Sequence, residues 1–436
     1  MSLHRRQVLG SAAAAVLATA GAAARSPDYG ALAHAIDGRV VLPVDREYAE
    51  ARQLFQPRYD AVAPGAVAYP AHAADVAVCL DFARRSAAAV VPRGGGHGYA
   101  GWSTCAGGLV VDTGAMAEVS VEGDGVRIGA GARLADVHAT LAGRGRSVPT
   151  GLCPSVGIAG LTLGGGLGPA SRAYGTTADQ LSSARVVTPD GRIREVSADR
   201  DPELFWALRG GGGGNFGVVT EFRFRTHPVG DCAFAELHWP GGDSADVLRG
   251  WQRWLAGLPD PFWSQVEFTV EADSGSGSRS GAGSGSRSGA GSESGPGSGA
   301  GAGAEAGATA PPAVRVVCLD GRGELERQLT RLSDLVGGPP RDSWIAVRSH
   351  ADTVRALSGC LELSPAQCRL PGALPGRDPQ GRLGRHSYAA RSDFWAGEGL
   401  PDAAIGAVLD ALRRYGSGVP RAASGWCSST ESAAAR

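Results

Sequence analysis

A histidine at the end of a glycine-rich loop has the setting of a functional residue. Residues 90–99 read VVPRGGGHGY, so an apolar strand ends at Pro92, three glycines follow Arg93, and His97 closes the run. Glycine reaches backbone conformations that are closed to other residues, and successive backbone N–H groups in such a loop can form a nest for a pyrophosphate. Arg93 adds a positive charge. The pattern predicts a phosphate-binding loop whose histidine meets a ring system attached to that pyrophosphate.

A cysteine opens a second glycine-rich segment. Residues 151–168 read GLCPSVGIAGLTLGGGLG, in which Cys153 precedes Pro154. Recurring glycines again suit a backbone that is pressed against a ligand. Each segment alone also has an ordinary interpretation, because most glycine loops are turns, most single histidines are structural, and most free cysteines are buried and inert. Neither segment is a Walker A motif or a Rossmann fingerprint, since the sequence lacks GK[ST] and a βαβ unit with a ribose-binding acid.

Short strands and helices alternate with glycine turns from about residue 59 to residue 228. The helical spacing of apolar residues predicts helices over 74–86 and about 133–143. Apolar runs and a Pro189-Asp190-Gly191 hairpin signal predict strands at 88–92, 108–112, 126–129, on both sides of the hairpin turn, and at 217–226. This mixture of short elements predicts an α+β domain that carries both glycine segments.

The composition changes beyond residue 230. Residues 234–271 contain four tryptophans, strand character returns at residue 313, and helical stretches follow at about 322–335 and 402–415. Residues 273–312 consist almost entirely of small and polar residues, which cannot bury enough apolar surface to fold. We therefore expect a second domain over 230–425 that carries a disordered insert at 273–312.

The charge balance and the cysteine spacing exclude several kinds of partner and chemistry. The 436 residues carry 42 basic and 43 acidic side chains, which gives no reason to expect nucleic acid or an anionic membrane as a partner. Every one of these basic residues is arginine, so no lysine is present to form a Schiff base or a P-loop. The eight cysteines show no CxxC pair and no zinc-ligand spacing, so we expect no structural metal. Cys360 and Cys368 are the nearest pair and would form a disulfide in an exported protein.

Residues 1–26 have the features of an export signal. Arg5 and Arg6 precede an Ala-rich apolar run that is too short for a transmembrane span, and small residues suited to cleavage follow. The twin arginine with Gln7, Val8 and Leu9 resembles a twin-arginine signal, and the alternative is an ordinary secretory signal. We expect a secreted or extracytoplasmic protein, exported by the twin-arginine route and without membrane association after the signal is removed.

Taken together, the two glycine segments resemble the vanillyl-alcohol-oxidase type of FAD domain, also called PCMH-type, and more narrowly the berberine-bridge-enzyme-like group that includes bacterial oligosaccharide oxidases. The resemblance covers residues 59–228 and includes TTADQ at 176–180 and PELFWALRGGGGGNFGVVT at 202–220. It implies an α+β fold with a PCMH-type FAD-binding domain of two α+β subdomains at 59–229, preceded by an N-terminal segment at 27–58. It also implies an α+β substrate domain at 230–425, built from an antiparallel sheet with helices.

The resemblance assigns roles to individual residues of both segments. His97 would bond the 8α-methyl group of the flavin, and Cys153 would bond its C6 position, so FAD would be attached covalently at two points. Tyr99 would border the substrate, and Val156 would be a gatekeeper that admits O2. The pyrophosphate would be held by Arg93, Gly94, Gly95, Gly96 and Gly98. The remaining cofactor contacts would come from Pro154, Gly157, Gly160, Gly164 and Val219.

The function implied by the resemblance is that of an FAD-dependent oxidase. Such an enzyme takes hydride from an alcohol carbon of a sugar, oligosaccharide or secondary metabolite and passes the electrons to O2, giving H2O2. The alternatives are an FAD-binding protein without turnover and a flavin dehydrogenase with another acceptor. The implied partners are a small-molecule substrate and O2, and the oligomeric state stays open.

The sequence departs from the family at its C-terminal end. The family normally ends with a segment that returns to the FAD domain and carries an Asn-Tyr-x-Asn-Tyr-like motif, whose tyrosine often serves as the base. Residues 424–436 read SGWCSSTESAAAR, which contains no such motif and looks unlike a closing strand or helix. We therefore expect residues 426–436 to be an atypical tail, and we expect the usual catalytic base to be missing from this chain.

Overall fold

A computed structural model describes residues 27–270, 312–386, 399–418 and 423–429. The predicted export signal, almost all of the predicted disordered insert, and residues 430–436 lie outside the described residues. Within the described ranges, no helix combines the length and the apolar character that a membrane span requires.

The described residues form a mixed α+β structure, as the sequence predicts. The strands are β1 Arg39–Val41, β2 Ala66–Tyr69, β3 Val90–Arg93, β4 Leu109–Asp112, β5 Val119–Glu122, β6 Gly125–Gly129, β7 Arg146–Ser147, β8 Leu181–Val187, β9 Ile193–Ser197, β10 Val218–Arg225, β11 His227–Pro228, β12 Asp231–His238, β13 Phe262–Val270, β14 Ala313–Cys318, β15 Asp342–Ser349 and β16 Ala423–Ser429. The α-helices are α1 Tyr29–Ala33, α2 Tyr48–Ala51, α3 Ala73–Arg85, α4 Leu134–Ala142, α5 Ile158–Leu163, α6 Ser171–Tyr174, α7 Pro202–Leu208, α8 Ser244–Leu255, α9 Arg322–Val336, α10 His350–Leu357 and α11 Asp402–Gly418.

The first sheet has the order β1-β2-β4-β3 and places the first glycine loop at its edge. Strand β4 pairs in parallel with both β2 and β3, and every residue of β2 and β4 is buried. Helix α3 forms because Val76, Cys79, Leu80 and Ala83 repeat with helical spacing and are buried on one face. The glycine loop begins directly after β3, so the carboxyl end of a parallel strand presents it.

The second sheet is antiparallel, with the order β5-β6-β10-β8-β9. The predicted hairpin is confirmed, since β8 and β9 pair across a turn in which Gly191 has a φ of 80°. That left-handed conformation favours glycine. Helices α4 and α5 contribute Leu134, Val137 and Ile158 to the core beneath this sheet. The second glycine segment therefore rests on a buried apolar layer.

The third sheet has the order β15-β12-β14-β13-β16, and its two faces differ. One face carries α8, α9 and α11 over a core that includes the fully buried rings of Trp239, Trp254 and Phe262. The other face carries a smaller cluster that includes Phe234 and Trp263. Leu152, the residue before Cys153, packs against this second cluster, so the third sheet adjoins the second glycine segment.

Two boundaries differ from the simplest sequence expectation. Residues 39–41 of the predicted N-terminal segment pair with β2, so that segment adds an edge strand to the first sheet. The expectation that the residues from 424 onward lack strand structure is wrong, because residues 423–429 form β16 and pair with β13. The hydrogen bonds of an edge strand are formed by backbone groups with one neighbouring strand. A segment without a run of large apolar side chains can therefore form them.

The predicted pairing of Cys360 with Cys368 is confirmed, and the disulfide closes a short loop after α10. Replacing both cysteines by alanine should lower the free energy of unfolding by about 2–3 kcal/mol, because the unfolded chain regains the entropy of an open loop. Urea unfolding at neutral pH measures the change. The reduced wild-type protein is the control, and a reduced protein as stable as the oxidised one would contradict the prediction.

Candidate active site

The two glycine segments meet in the folded chain. A Cβ atom added to Gly95 would overlap the backbone nitrogen of Gly157, and a Cβ atom on Gly157 would overlap Gly95 in the same way. Gly157 also bridges to the backbone of Arg133 immediately before α4. Only glycine permits this approach of one backbone to another. The site is therefore built where the end of β3 contacts the start of α5.

His97 and Cys153, which are distant in sequence, converge on one hydroxyl group. The Nε2 atom of His97 lies 3.0 Å from Ser155 Oγ, and the Sγ atom of Cys153 lies 3.6 Å from the same oxygen. A turn closed by the Val156 N–H and the Cys153 carbonyl, 3.2 Å apart, holds Cys153 beside Ser155. The Cys153 residue is exposed. Two nucleophiles of different chemistry therefore border one small region of the surface.

The environment of His97 keeps its imidazole neutral. Burial, assisted by the positive charge of Arg133, lowers the pKa of His97 to about 3. The ring stacks on Phe55, with centroids 3.9 Å apart. A neutral imidazole has two tautomers. In the tautomer whose Nε2–H donates to the Ser155 hydroxyl, Nδ1 carries the lone pair and is the nucleophilic atom.

Four histidines with lowered pKa values should make the protein sensitive to acid. Burial lowers the pKa of His138 and of His227 to about 4, and it also lowers the pKa values of His97 and His350. An unfolded histidine titrates near pH ~6.5, so between that pH and about 4 only the unfolded chain takes up these protons. The contribution of these histidines to the free energy of unfolding should be fully present above pH ~6.5. It should fall as the pH drops, by up to about 1.4 kcal/mol per pH unit for each histidine.

The variant His138→Gln tests this acid sensitivity, because it removes one titrating ring that lies outside the glycine loops. Glutamine can still bond the Thr150 hydroxyl, which is the partner of His138. Denaturant unfolding at pH 7 and pH 5 should show a smaller loss of stability for the variant than for the wild type. Equal losses in the two proteins would contradict the assignment.

A cleft lies beside the first glycine loop. Its wall includes the backbone of Gly94 and Gly95. Its ionisable lining groups are three arginines and two carboxylates: Arg93, Arg133, Arg377, Glu50 and Asp112. The lining therefore carries a net positive charge, which suits an anionic group.

Arg93 is held within the protein by its own partners. It is buried and forms an ion pair with Asp112, and its Nη2 donates to the Ala51 carbonyl at 2.7 Å. Asp112 also accepts the Gly114 N–H. One nitrogen of Arg93, Nη1, has no hydrogen-bond partner and remains a donor for the cleft.

The other predicted site residues divide into two groups. Tyr99 and Gly98 lie on the exposed side of the loop, and the Tyr99 carbonyl accepts the Tyr59 hydroxyl at 2.5 Å. Val156 is partly buried beside Cys153, and its carbonyl accepts the Leu134 N–H of α4. These residues, with Pro154, surround the meeting point of His97 and Cys153.

The remaining predicted site residues are Gly96, Gly160, Gly164 and Val219. Gly96 is buried, and its carbonyl accepts the Phe55 N–H. Gly160 lies in α5 on an open surface, and Gly164 caps the carboxyl end of that helix. Val219 is 3% exposed and packs in the core of the second sheet, so the structure does not place its side chain in the cleft.

Sequence reasoning missed three residues that the structure brings to the site. Ser155 lies between His97 and Cys153, Phe55 stacks on His97, and Arg133 lines the cleft. The position of Ser155 next to Pro154 was a usable signal. Phe55 and Arg133 carry no local signal, because their importance comes from contacts with distant segments.

One cluster of possible metal ligands occurs among the described residues: Asp37, His72 and Asp75. The Asp75 carboxylate already accepts the backbone N–H groups of Asp37, Gly38 and Ala71. This buried carboxylate therefore fixes the turn before α3 and has little capacity left for a cation.

The region that holds both glycine segments matches a known family of domains. Residues 64–197 match the model of the FAD binding domain family. An uncharacterized FAD-linked oxidoreductase of Bacillus subtilis, YgaK, is 36% identical over 242 residues, which are 53% of this chain and 53% of that protein. The chain thus spans about half the length of the curated relatives that it matches.

Solved structures share the fold of this chain. The BBE-like 1 protein of Physcomitrella patens superposes with a TM-score of 0.72 at 23% identity, over 88% of this chain and 74% of that one. Glucooligosaccharide oxidase from Acremonium strictum, whose FAD is described as 6-S-cysteinyl, 8α-N1-histidyl, gives a TM-score of 0.67 at 23% identity, over 89% of this chain and 71% of that one. The chain thus has the fold of FAD-linked oxidoreductases of the berberine-bridge-enzyme-like type.

Proposed function

We propose that this protein is an FAD-dependent oxidase whose flavin is bonded to both His97 and Cys153. The observation that carries the proposal is the convergence of these two side chains on the Ser155 hydroxyl. Positions 6 and 8 lie on the same benzenoid ring of a flavin, so two bonds to it require nucleophiles that are close neighbours. A histidine and a cysteine that did not both bond the flavin would not need to lie beside the same hydroxyl group.

The residues present fit an FAD molecule. The Nη1 atoms of Arg93 and Arg133 are buried donors without partners, and both arginines line the cleft with Gly94 and Gly95. Unpartnered buried donors are costly, so they favour an anionic group that would accept from them. The cleft would hold the diphosphate, and the ring system would lie toward His97 and Cys153.

The side chains at the ring end prepare two covalent attachments. The low pKa of His97 leaves the imidazole unprotonated at neutral pH, and the Ser155 contact leaves Nδ1 as its free nucleophile. This atom corresponds to the N1-histidyl bond named for the Acremonium strictum enzyme, and Cys153 would supply the 6-S-cysteinyl bond. When bound, FAD supplies hydride acceptance and electron transfer to O2, and two bonds to its ring would raise its reduction potential.

An open approach to the ring favours a bulky polar substrate such as a sugar or an oligosaccharide. The loop that follows His97 exposes 52% of Tyr99 and 82% of Trp102. Aromatic faces that meet solvent next to a reaction centre suit sugar rings, which offer C–H bonds on one face and hydroxyls at the edge. The chain would hold the alcohol C–H near the ring, and a base would take the hydroxyl proton.

An anaerobic titration tests the activity. The mature protein is mixed without O2 with mono- and oligosaccharides and with small secondary alcohols, and bleaching of the flavin absorbance is recorded. An oxidase should bleach with one substrate class and then recover in air while producing H2O2. A flavin that bleaches but stays reduced in air would show a dehydrogenase with another acceptor. A bound flavin that no substrate bleaches would show a flavoprotein without turnover.

Val156 provides a separate test of the oxidase assignment. The side chain is partly buried beside Cys153, so enlarging it to isoleucine narrows the approach of O2 to the ring. We expect Val156→Ile to slow reoxidation of the reduced flavin at least about tenfold, which corresponds to about 1.4 kcal/mol. Stopped-flow mixing with O2 measures the rate, and reduction by substrate is the control. Unchanged reoxidation would remove the gatekeeper role.

We also propose that the protein functions outside the cytoplasm. The disulfide between Cys360 and Cys368 is typical of an oxidising compartment. This observation agrees with a twin-arginine-like signal at residues 1–26. Localisation of a full-length fusion in cells with and without a functional twin-arginine pathway tests the route.

A further inference from the structure

Arg133 is a buried cation without a partner. The residue is 8% exposed, yet its side chain forms no hydrogen bond and no ion pair with any described residue. Burial lowers the pKa of its guanidinium more than the charges of Asp112 and Asp136, which lie beyond ion-pair distance, raise it. An uncompensated buried charge costs several kcal/mol, so a protein retains one only where something else neutralises it.

Other arginines of this protein show how a buried or partly buried guanidinium group is paired. Arg93 has Asp112 as its ion-pair partner, and Arg377 approaches Glu50 with Nε and Oε1 3.8 Å apart. The similarly buried Arg172 in α6 donates from Nη2 to the Leu258 carbonyl at 2.7 Å, whereas its Nε and Nη1 atoms have no partner. Asp112 and Glu50, the carboxylates that line the cleft, are therefore paired with Arg93 and Arg377, and neither forms an ion pair with Arg133.

The guanidinium of Arg133 is fixed at the cleft between two glycines. A Cβ atom on Gly157 would lie 3.1 Å from Nη1, and a Cβ atom on Gly376 would overlap the other side of the group. The backbone of Arg133 is bridged to Gly157, so the side chain starts from the contact between the two glycine segments. Gly94 and Gly95 form the facing wall of the same cleft.

We propose that Arg133 is the counter-ion of the cofactor diphosphate. This inference rests on the proposed function, because it assigns the anion to FAD. The planar guanidinium offers two parallel N–H donors, a geometry that matches phosphate oxygens. Arg133 would neutralise the diphosphate, while the backbone of the glycine loop holds it in position. Neither the glycine-rich loop nor the two residues proposed to bond the flavin, His97 and Cys153, indicate this role of Arg133.

The test compares ligands that carry the diphosphate with one that does not. The chain with His97→Ala and Cys153→Ala is freed of flavin, so that binding is reversible, and is titrated with FAD, ADP and riboflavin. Adding Arg133→Met to this background should weaken binding of FAD and of ADP by about 10- to 100-fold, the range expected for charged hydrogen bonds. Riboflavin, which has no phosphate, should bind equally well with or without the change.

Arg172→Met in the same background is the matched control, because it removes a buried arginine that also has an unpartnered Nη1 but does not line the cleft. It should leave the affinity for all three ligands unchanged. The ligand-free Arg133→Met protein should melt at the same temperature as its parent or higher, because the variant removes an unpaired buried charge. Arg133→Lys keeps the charge without the planar fork and should bind FAD with intermediate affinity.

The outcomes separate the inference from the proposed function. If the parent binds none of the three ligands, the proposed FAD function fails. If the parent binds FAD and ADP, but Arg133→Met binds them as tightly, the diphosphate role of Arg133 is wrong. Equal losses for riboflavin, or for Arg172→Met, would show a structural effect and would also overturn the inference. If Arg133→Met does not fold, Arg133→Lys takes its place, and FAD binding by that variant as tight as the parent's would overturn the inference as well.

Discussion

Replacing both His97 and Cys153 by alanine should release all flavin when the protein is denatured in acid. Either single replacement should leave the flavin on the protein, because the remaining side chain still provides one bond. The wild type should keep its flavin as well. The measurement is the flavin absorbance of the supernatant and pellet after acid precipitation, with in-gel fluorescence of the denatured chain as a second readout.

Comparison of the wild type, the two single variants and the double variant distinguishes two covalent bonds to the flavin from one. Their absorption spectra should also differ, because a bond at C6 and a bond at the 8α-methyl group perturb the ring differently. Release of all flavin from the wild type would disprove covalent attachment. Complete release from one single variant would show that only that residue forms a bond.

Ser155→Ala tests whether the Ser155 hydroxyl positions the side chains that are proposed to bond the flavin. It keeps both nucleophiles and removes only the hydroxyl that lies 3.0 Å from His97 Nε2. We expect a smaller fraction of histidyl-bonded flavin, because the imidazole loses the contact that fixes its tautomer and orientation. Flavin attachment as complete as in the wild type would show that the hydroxyl does not orient His97.

Gly95→Ala should prevent assembly of the site. The new methyl group would overlap the backbone of Gly157, and neither backbone can move without separating β3 from α5. Overpacking of a close contact costs roughly 1–3 kcal/mol or more, so we expect a destabilised protein with little bound flavin. Thermal unfolding and the ratio of flavin to protein absorbance measure the two effects.

Gly98→Ala is the control within the same loop. A Cβ atom there would meet no atom within 4 Å, so the substitution should change stability by no more than about 0.5 kcal/mol and leave flavin content unchanged. Equal effects at the two positions would mean that the loop tolerates no side chain anywhere. Full flavin loading of Gly95→Ala would contradict the close contact between the glycine segments.

Local sequence patterns determined most of the regular structure of this protein. The spacing of apolar residues predicts α3, α4 and α9 to within one or two residues, and the Pro189-Asp190-Gly191 signal predicts the hairpin of β8 and β9. These features depend on neighbours along the chain, where helical and extended periods differ and can be recognised. Cys360 and Cys368 were the first candidates for a disulfide because they are the nearest cysteines along the chain, but only the folded structure established their bond.

Longer-range features were visible only in the folded chain. Strand β16 could not be predicted, because an edge strand is held by backbone hydrogen bonds that any residue can supply. Val219 was expected to line the cofactor, whereas its side chain is buried in the core of the second sheet. Which face of a strand meets a ligand depends on how the sheets and helices pack in layers. A single amino-acid sequence does not specify that packing.

For the site itself, the sequence by itself supplied the two nucleophiles and the glycines that must surround them. The tertiary structure decided that His97 and Cys153 share the Ser155 hydroxyl and that Arg133 is buried beside the glycine contact without a partner. The physical reason is that a residue's type sets the chemistry it can perform. Its pKa, burial and partners arise from segments that meet only when the first and second sheets pack together.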